Sequence, residues 1–213
     1  MVSRGIVPAY SFVAAVTAAL VLLAWGTPAR SAGQTIVVLG DSLSSGYGLS
    51  LEQSWVSMLE DRLDTEGYGY EVVNASVAGD TSSGGLARLP RLLQTYEPSI
   101  VIIELGGNDG LRGQPVSHLR SNLAAMIELA ESSGARAVLA GIRIPPNYGR
   151  AYTEALTRVY PELAEQLGVP LVGFLMEDVA LNAALMQPDG IHPNERGNAV
   201  MLENVWGVIA DLL

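Results

Sequence analysis

The sequence contains no cysteine, and all twelve of its basic residues are arginine, so lysine is missing as well. Without cysteine there is no disulfide framework, no thiolate metal site and no lipid anchor on an N-terminal Cys. Without lysine there is no Walker A loop, whose lysine reaches the nucleotide phosphates, so a P-loop site is excluded. Histidine is almost absent: with His118 and His192 the only imidazoles and no cysteine, a catalytic zinc is not expected. Positive charge is also scarce, with 12 Arg against 22 Asp and Glu and a formal net charge of −10. Such a surface repels nucleic acid and anionic membranes, and its plainest use is solubility. Disorder is not a candidate either, because 49% of the chain is hydrophobic.

At 213 residues, one domain is expected, large enough to bury a sizeable core. The first residues stand apart from it. After Arg4 the chain runs apolar from Ile6 to Trp25 and then reads Thr27-Pro28-Ala29-Arg30-Ser31-Ala32. A positive end, an apolar stretch and small residues in that order are the layout of a secretory signal peptide. Ala29 and Ser31 fit the small-x-small rule, which places the cut after Ser31, residues 1–31 being removed and 32–213 left as the working domain. A membrane anchor is the alternative, since the apolar run is nearly long enough to span a bilayer. Removal would leave ten arginines against 22 acids, a net charge of −12. The product is expected in the periplasm or medium, as a monomer with no stable membrane anchor.

From Gln34 on, short β-rich apolar runs alternate with segments of helical period. Strands are expected at 35–40, 70–75, 100–105, 136–142 and 169–174. Trp55, Met58, Leu59 and Leu63 share one helical face. Leu86, Leu89, Leu93 and Tyr96 share another, where Pro90 is expected to kink or restart the helix. Val116, Leu119, Leu123, Met126, Ile127 and Ala130 form the clearest stripe. Helices at 148–167 and 194–213 complete the series, the last turning Leu202, Val205, Trp206, Ile209 and Leu213 inward. Strict alternation of apolar strands with helices predicts a parallel sheet covered on both faces. No internal repeat, low-complexity tract or second domain is visible.

Open sheets of this kind bind ligands beyond the carboxyl ends of their strands. The chain's polar singularities fall there: Gly40-Asp41-Ser42-Leu43-Ser44, Asn74-Ala75-Ser76-Val77-Ala78-Gly79-Asp80, Gly106-Gly107-Asn108-Asp109, Arg143-Ile144-Pro145-Pro146-Asn147-Tyr148 and Asp189-Gly190-Ile191-His192-Pro193. A serine hydroxyl becomes a useful nucleophile when a base takes its proton. His118 sits among polar neighbours off its helix's apolar stripe and reads as a solvated surface residue. His192 precedes the final helix, with Asp189 three residues ahead, close enough to hold the imidazole tautomer. In isolation Asp189 would read as a turn former, Ser42 as ordinary turn chemistry and Asn108 as an Asx-turn. Together they form a set: a serine, a base, a carboxylate, and donors for a developing oxyanion in the Gly79 N–H, the Asn108 amide and the Ser42 N–H.

Gly40-Asp41-Ser42-Leu43, Gly79, Gly106-Gly107-Asn108-Asp109 and Asp189-Gly190-Ile191-His192 resemble, in order, the four catalytic blocks of SGNH (GDSL) hydrolases. Residues 74–90, 104–113 and 142–150 are similar to the bacterial thioesterase I/arylesterase/lysophospholipase branch, and the likeness runs from about Thr35 to the C-terminus. It implies a three-layer α/β/α sandwich of flavodoxin-like type with a central parallel sheet of about five strands. It also implies Ser42 as nucleophile, His192 as base, Asp189 as its partner, and Ser42, Gly79 and Asn108 as the oxyanion hole. The expected substrate is a small-molecule acyl ester or thioester, and the chemistry calls for no cofactor or metal. Leu43, Leu111, Ile144, Pro145 and Tyr148 are candidate substrate walls, with plain loop packing as the alternative. Two other readings remain: a carbohydrate-ester deacetylase of the same superfamily, and a non-catalytic ligand-binding domain of flavodoxin-like fold.

Overall fold

The computed structural model describes Met1 and residues 34–213; the expected signal peptide therefore lies outside the described residues, apart from Met1. Five strands follow in the described chain: β1 (Thr35–Gly40), β2 (Glu71–Asn74), β3 (Ile100–Glu104), β4 (Arg136–Ala140) and β5 (Leu171–Val172). They form one sheet in the order β2-β1-β3-β4-β5, with every pair parallel. The helices between and after them are α1 (Trp55–Glu66), α2 (Ser82–Tyr96), α3 (Gly107–Leu111), α4 (Val116–Ser132), α5 (Arg150–Leu167) and α6 (Glu195–Ile209).

The strands point successive side chains to opposite faces, and both faces are buried. Val37, Leu39, Val101, Ile103, Ala137 and Leu139 pack with Leu89 and Leu93 of α2, Leu119 and Leu123 of α4, and Leu156 and Leu163 of α5. The alternate residues Ile36, Val38, Ile100, Ile102, Val138 and Ala140 pack with Trp55, Leu59 and Leu63 of α1 and Met201, Leu202 and Val205 of α6. Two apolar layers thus enclose the sheet, giving the expected α/β/α sandwich. Each fully buried aliphatic side chain contributes about 1.5–3 kcal/mol, so these layers outweigh local propensity in fixing the helices.

The chain enters at β1, steps to β2 on one side and then crosses to β3 on the other. The strand order therefore reverses between β1 and β3, which opens a crevice beyond their carboxyl ends. The loops carrying Ser42 and Asn108 leave these two strands.

Several expectations need correction. β5 has two residues rather than six, and β4 stops at Ala140. Beyond them Gly141 and Gly173 pass so closely that a Cβ on Gly141 would lie 1.9 Å from the Gly173 carbonyl oxygen. The helix expected from Tyr148 begins at Arg150, because Gly149 has φ 91° and separates it from a 3-10 turn at Pro146–Tyr148. α2 continues through Pro90, whose ring lies on the exposed side, and Tyr96 is exposed rather than inward. α6 is capped by Asn194, whose side chain accepts from the Gly197 N–H, and buries Met201 as well as the predicted Leu202, Val205 and Ile209. Trp206 is half-buried under the Arg62 guanidinium, 4.0 Å from its ring centre.

Candidate active site

Ser42 begins the turn that leaves β1. Gly40, paired with Glu104 across the sheet, permits that turn: a Cβ there would stand 2.7 Å from Glu104 Oε2 and 2.8 Å from the Ser44 side chain. From the far side of the sheet, residues 186–193 form a closed loop. Met186 and Pro193 bridge antiparallel, the Gln187 N–H donates to the His192 carbonyl at 2.7 Å, and Gly190 turns at φ 68°. The loop brings His192 Nε2 to 2.9 Å from Ser42 Oγ, across 150 residues of chain.

On the other side of the ring, His192 Nδ1 lies 2.6 Å from Asp189 Oδ2, while Asp189 Oδ1 accepts the backbone N–H groups of Ile191 (2.9 Å) and His192 (3.0 Å). The imidazole bond, with the two backbone bonds behind it, lowers the Asp189 carboxyl to about 2. An ionised Asp189 only accepts, so it holds the ring proton on Nδ1 and leaves Nε2 of the neutral ring facing the serine hydroxyl. His118, by contrast, is exposed on α4, far from this chemistry in role and in partners.

Asn108 opens α3, a five-residue helix too short to show a period in the sequence. Gly106 before it has φ 123°, and a Cβ there would lie 2.2 Å from the Tyr160 hydroxyl, so glycine is required both by conformation and by space. Asn108 Nδ2 donates to Asp41 Oδ2 at 2.9 Å, and Asp41 Oδ1 accepts the Leu43 N–H at 3.0 Å. Asp41 thus ties the serine turn to the amide, and the second Nδ2 hydrogen remains for another acceptor.

Gly79, at φ 79°, lies in the segment after β2. Arg112, just past α3, donates from Nη2 to the Gly79 carbonyl at 2.8 Å, and Asp109 of α3 accepts both the N–H and the hydroxyl of Ser82 at the start of α2. Arg88 holds the Gly79 segment from behind through Asp80 (2.7 Å) and the Ala75 carbonyl (2.7 Å).

Beneath the serine turn lies a second carboxylate that the sequence reading did not single out. Glu104 is fully buried; its Oε2 accepts the Ser44 hydroxyl (2.7 Å) and the Asp41 N–H (3.2 Å), and its Oε1 has no hydrogen-bond partner among the described residues. Burial, then the charge of Asp41, push Glu104 well above the usual carboxylate range. Burial raises Asp41 to about 6, against the opposing bonds from Leu43 and Asn108. A serine, an imidazole and an ionised carboxylate in line, with the Asn108 amide tied to the serine turn through Asp41, can support nucleophilic acyl transfer.

The candidate wall residues divide. Leu43 is half-buried against both apolar layers, and Leu111 is half-buried at the end of α3. Ile144 is a core residue, 8% exposed. It also lines a cavity of about 330 Å³ with Arg143, Pro146 and Thr153. Pro145 and Tyr148 are exposed on the loop after β4. The sequence reading missed Asp41, Glu104, Gln187 and Tyr47 as site residues. Asp41 stood in a quoted motif, and Glu104 was a charge inside an otherwise apolar strand, a signal that could have been used.

A model of the GDSL-like Lipase/Acylhydrolase family matches residues 38–200. The chain is 51% identical over 184 residues to the esterase TesA of Pseudomonas aeruginosa, covering 86% of this chain and 92% of the relative. It is 46% identical over 164 residues to thioesterase 1/protease 1/lysophospholipase L1 of Escherichia coli, covering 77% of each. Among solved structures it is similar to a crystal structure of TesA, with a TM-score of 0.82, 52% identity, and coverage of 84% of this chain and all of that one.

Proposed function

The chain belongs to the GDSL-like lipase/acylhydrolase family, and within that family we propose that it hydrolyses carboxylic esters and acyl thioesters through an acyl-enzyme on Ser42. One observation carries the assignment of roles: the line from Asp189 through His192 to Ser42, at 2.6 and 2.9 Å.

His192 Nε2 takes the Ser42 proton as Oγ attacks the acyl carbon, and Asp189 stabilises the imidazolium that forms. The carbonyl oxygen becomes an oxyanion held by the N–H groups of Ser42 and Gly79 and the free Nδ2 hydrogen of Asn108. Collapse breaks the bond to the alcohol or thiol, which leaves with the proton from Nε2. Water then gives its proton to the same nitrogen, attacks the acyl-enzyme and releases the acid, restoring Ser42. Substrate walls are assigned to Leu43, Leu111, Ile144, Pro145 and Tyr148. All these groups come from one chain, so a monomer suffices.

The same reading makes residues 1–31 a signal peptide and the mature domain a periplasmic or secreted protein with no stable anchor. The order of Arg4, the apolar run and the small residues to Ala32 supports it. No helix among the described residues is long and apolar enough to cross a membrane. The acidic surface disfavours nucleic acid as a partner.

Turnover of a p-nitrophenyl ester and an acyl-thioester by Ser42→Ala tests the assignment. A folded variant retaining no more than about 0.1% of wild-type kcat supports it. One that retains a tenth or more makes another residue the nucleophile.

A further inference from the structure

Tyr47 lies in the serine turn between Gly46 (φ 74°) and Gly48 (φ 75°), two left-handed residues that fold the chain back and present the side chain outward. Its ring centre is 4.5 Å from that of His192, with the planes inclined by 37°, yet the residue is 51% exposed. The contact is held from behind by Gln187, whose Nε2 donates to the carbonyls of Tyr47 (2.8 Å) and Pro193 (3.0 Å). The Gln187 N–H donates to the His192 carbonyl, so one residue locks the Tyr47 turn to the His192 loop. A Cβ on Gly48 would lie 2.4 Å from Gln187 Oε1 and would push that lock apart.

We propose that Tyr47 is the platform on which the leaving group rests, and that it gives the enzyme a preference for flat aromatic leaving groups. The inference rests on Ser42 and His192 acting as nucleophile and base. The departing oxygen or sulfur must collect its proton from His192 Nε2, the atom that faces Ser42 Oγ at 2.9 Å. The leaving group is therefore on the imidazole side of the reacting carbon. The oxyanion is drawn away toward Gly79 and Asn108. A half-open aromatic ring packed on the imidazole consequently stands beside the departing group, where a second ring can stack on it in offset or edge geometry.

The test compares a phenyl ester with a fluoroalkyl ester of the same acyl chain and matched leaving-group acidity, in the wild type, Tyr47→Leu and Tyr47→Phe. Tyr47→Leu lowers the phenyl-to-fluoroalkyl ratio of kcat/KM about 3- to 10-fold, the size of one aromatic pair, and Tyr47→Phe restores the ratio. The loss is confined to acylation, because the leaving group has gone when the acyl-enzyme breaks down; single-turnover kinetics separate the two steps. Equal losses on both esters, or slowed deacylation, would make Tyr47 a prop for the imidazole and overturn the proposal, as would an unchanged ratio. Ser42→Ala is assayed alongside: an active Ser42→Ala sinks the parent assignment, whereas an inactive one with an unchanged ratio sinks only the platform.

Discussion

Replacing Asp41 by Asn keeps the size of the side chain and removes one of its two acceptors. Asp41 Oδ1 accepts the Leu43 N–H and Oδ2 accepts Asn108 Nδ2. An asparagine that keeps the first bond must turn its own NH₂ toward Asn108, donor against donor. The Asn108 amide then flips to offer its oxygen, and the hydrogen proposed to meet the oxyanion is lost. The expected effect is that of losing one oxyanion donor, a fall in kcat of about 10²–10³ with a smaller change in KM. Stability should move the other way. With a pKa of about 6 in place of 3.8, holding Asp41 ionised above pH 7 costs about 3 kcal/mol. That is of the same size as the charge-assisted bonds it accepts. A raised folded-state pKa means that the wild type binds more protons than its unfolded chain between about pH 4 and 6, so stability from this group falls as pH rises through that window. Asp41→Asn lacks that fall, and urea midpoints of the two proteins should shift in favour of the variant from pH 4 to pH 7. The kinetic half is checked by a double-mutant cycle with Asn108→Ala, in which the double variant is no slower than Asn108→Ala alone. Additive losses would show that Asp41 does not act through Asn108 and would refute the reasoning.

Gly106→Ala meets both a φ of 123° and a contact 2.2 Å from the Tyr160 hydroxyl, so it should cost about 2–6 kcal/mol in urea unfolding; a loss below about 1 kcal/mol would contradict that packing. Protein recovered from the periplasm or medium should have an intact mass that begins near Ala32, and a full-length membrane-bound species would contradict export with cleavage.

The layers and strand positions were legible because β1, β3 and β4 are continuous apolar runs and α4 carries a strong helical stripe. β1 has the predicted bounds. What failed was decided by backbone or by long-range contacts. The apolar residues around β5 look like a six-residue strand, but only Leu171 and Val172 pair with β4, and beyond them the chain passes Gly141 closely at Gly173. Gly149 and the brevity of α3 likewise leave no periodic signal. In the candidate site, Ser42, Asp189 and His192 were identifiable from their motifs, and the structure brings them into contact. Their supports were not. Asp41, Glu104 and Gln187 act across separations of 60 to 140 residues, through pairings that no local pattern encodes. Tyr47 carries no signal of its own in the sequence, because only the closure of the distant His192 loop places the imidazole against its ring.

The central claim is that His192 activates Ser42 as a nucleophile, and a fluorophosphonate probe reads it directly. Intact-mass and peptide analysis should find one adduct per chain, located on Ser42, with labelling lost in Ser42→Ala and strongly slowed in His192→Ala. A folded wild-type protein that stays unlabelled, or that carries its adduct on another residue, would contradict the account.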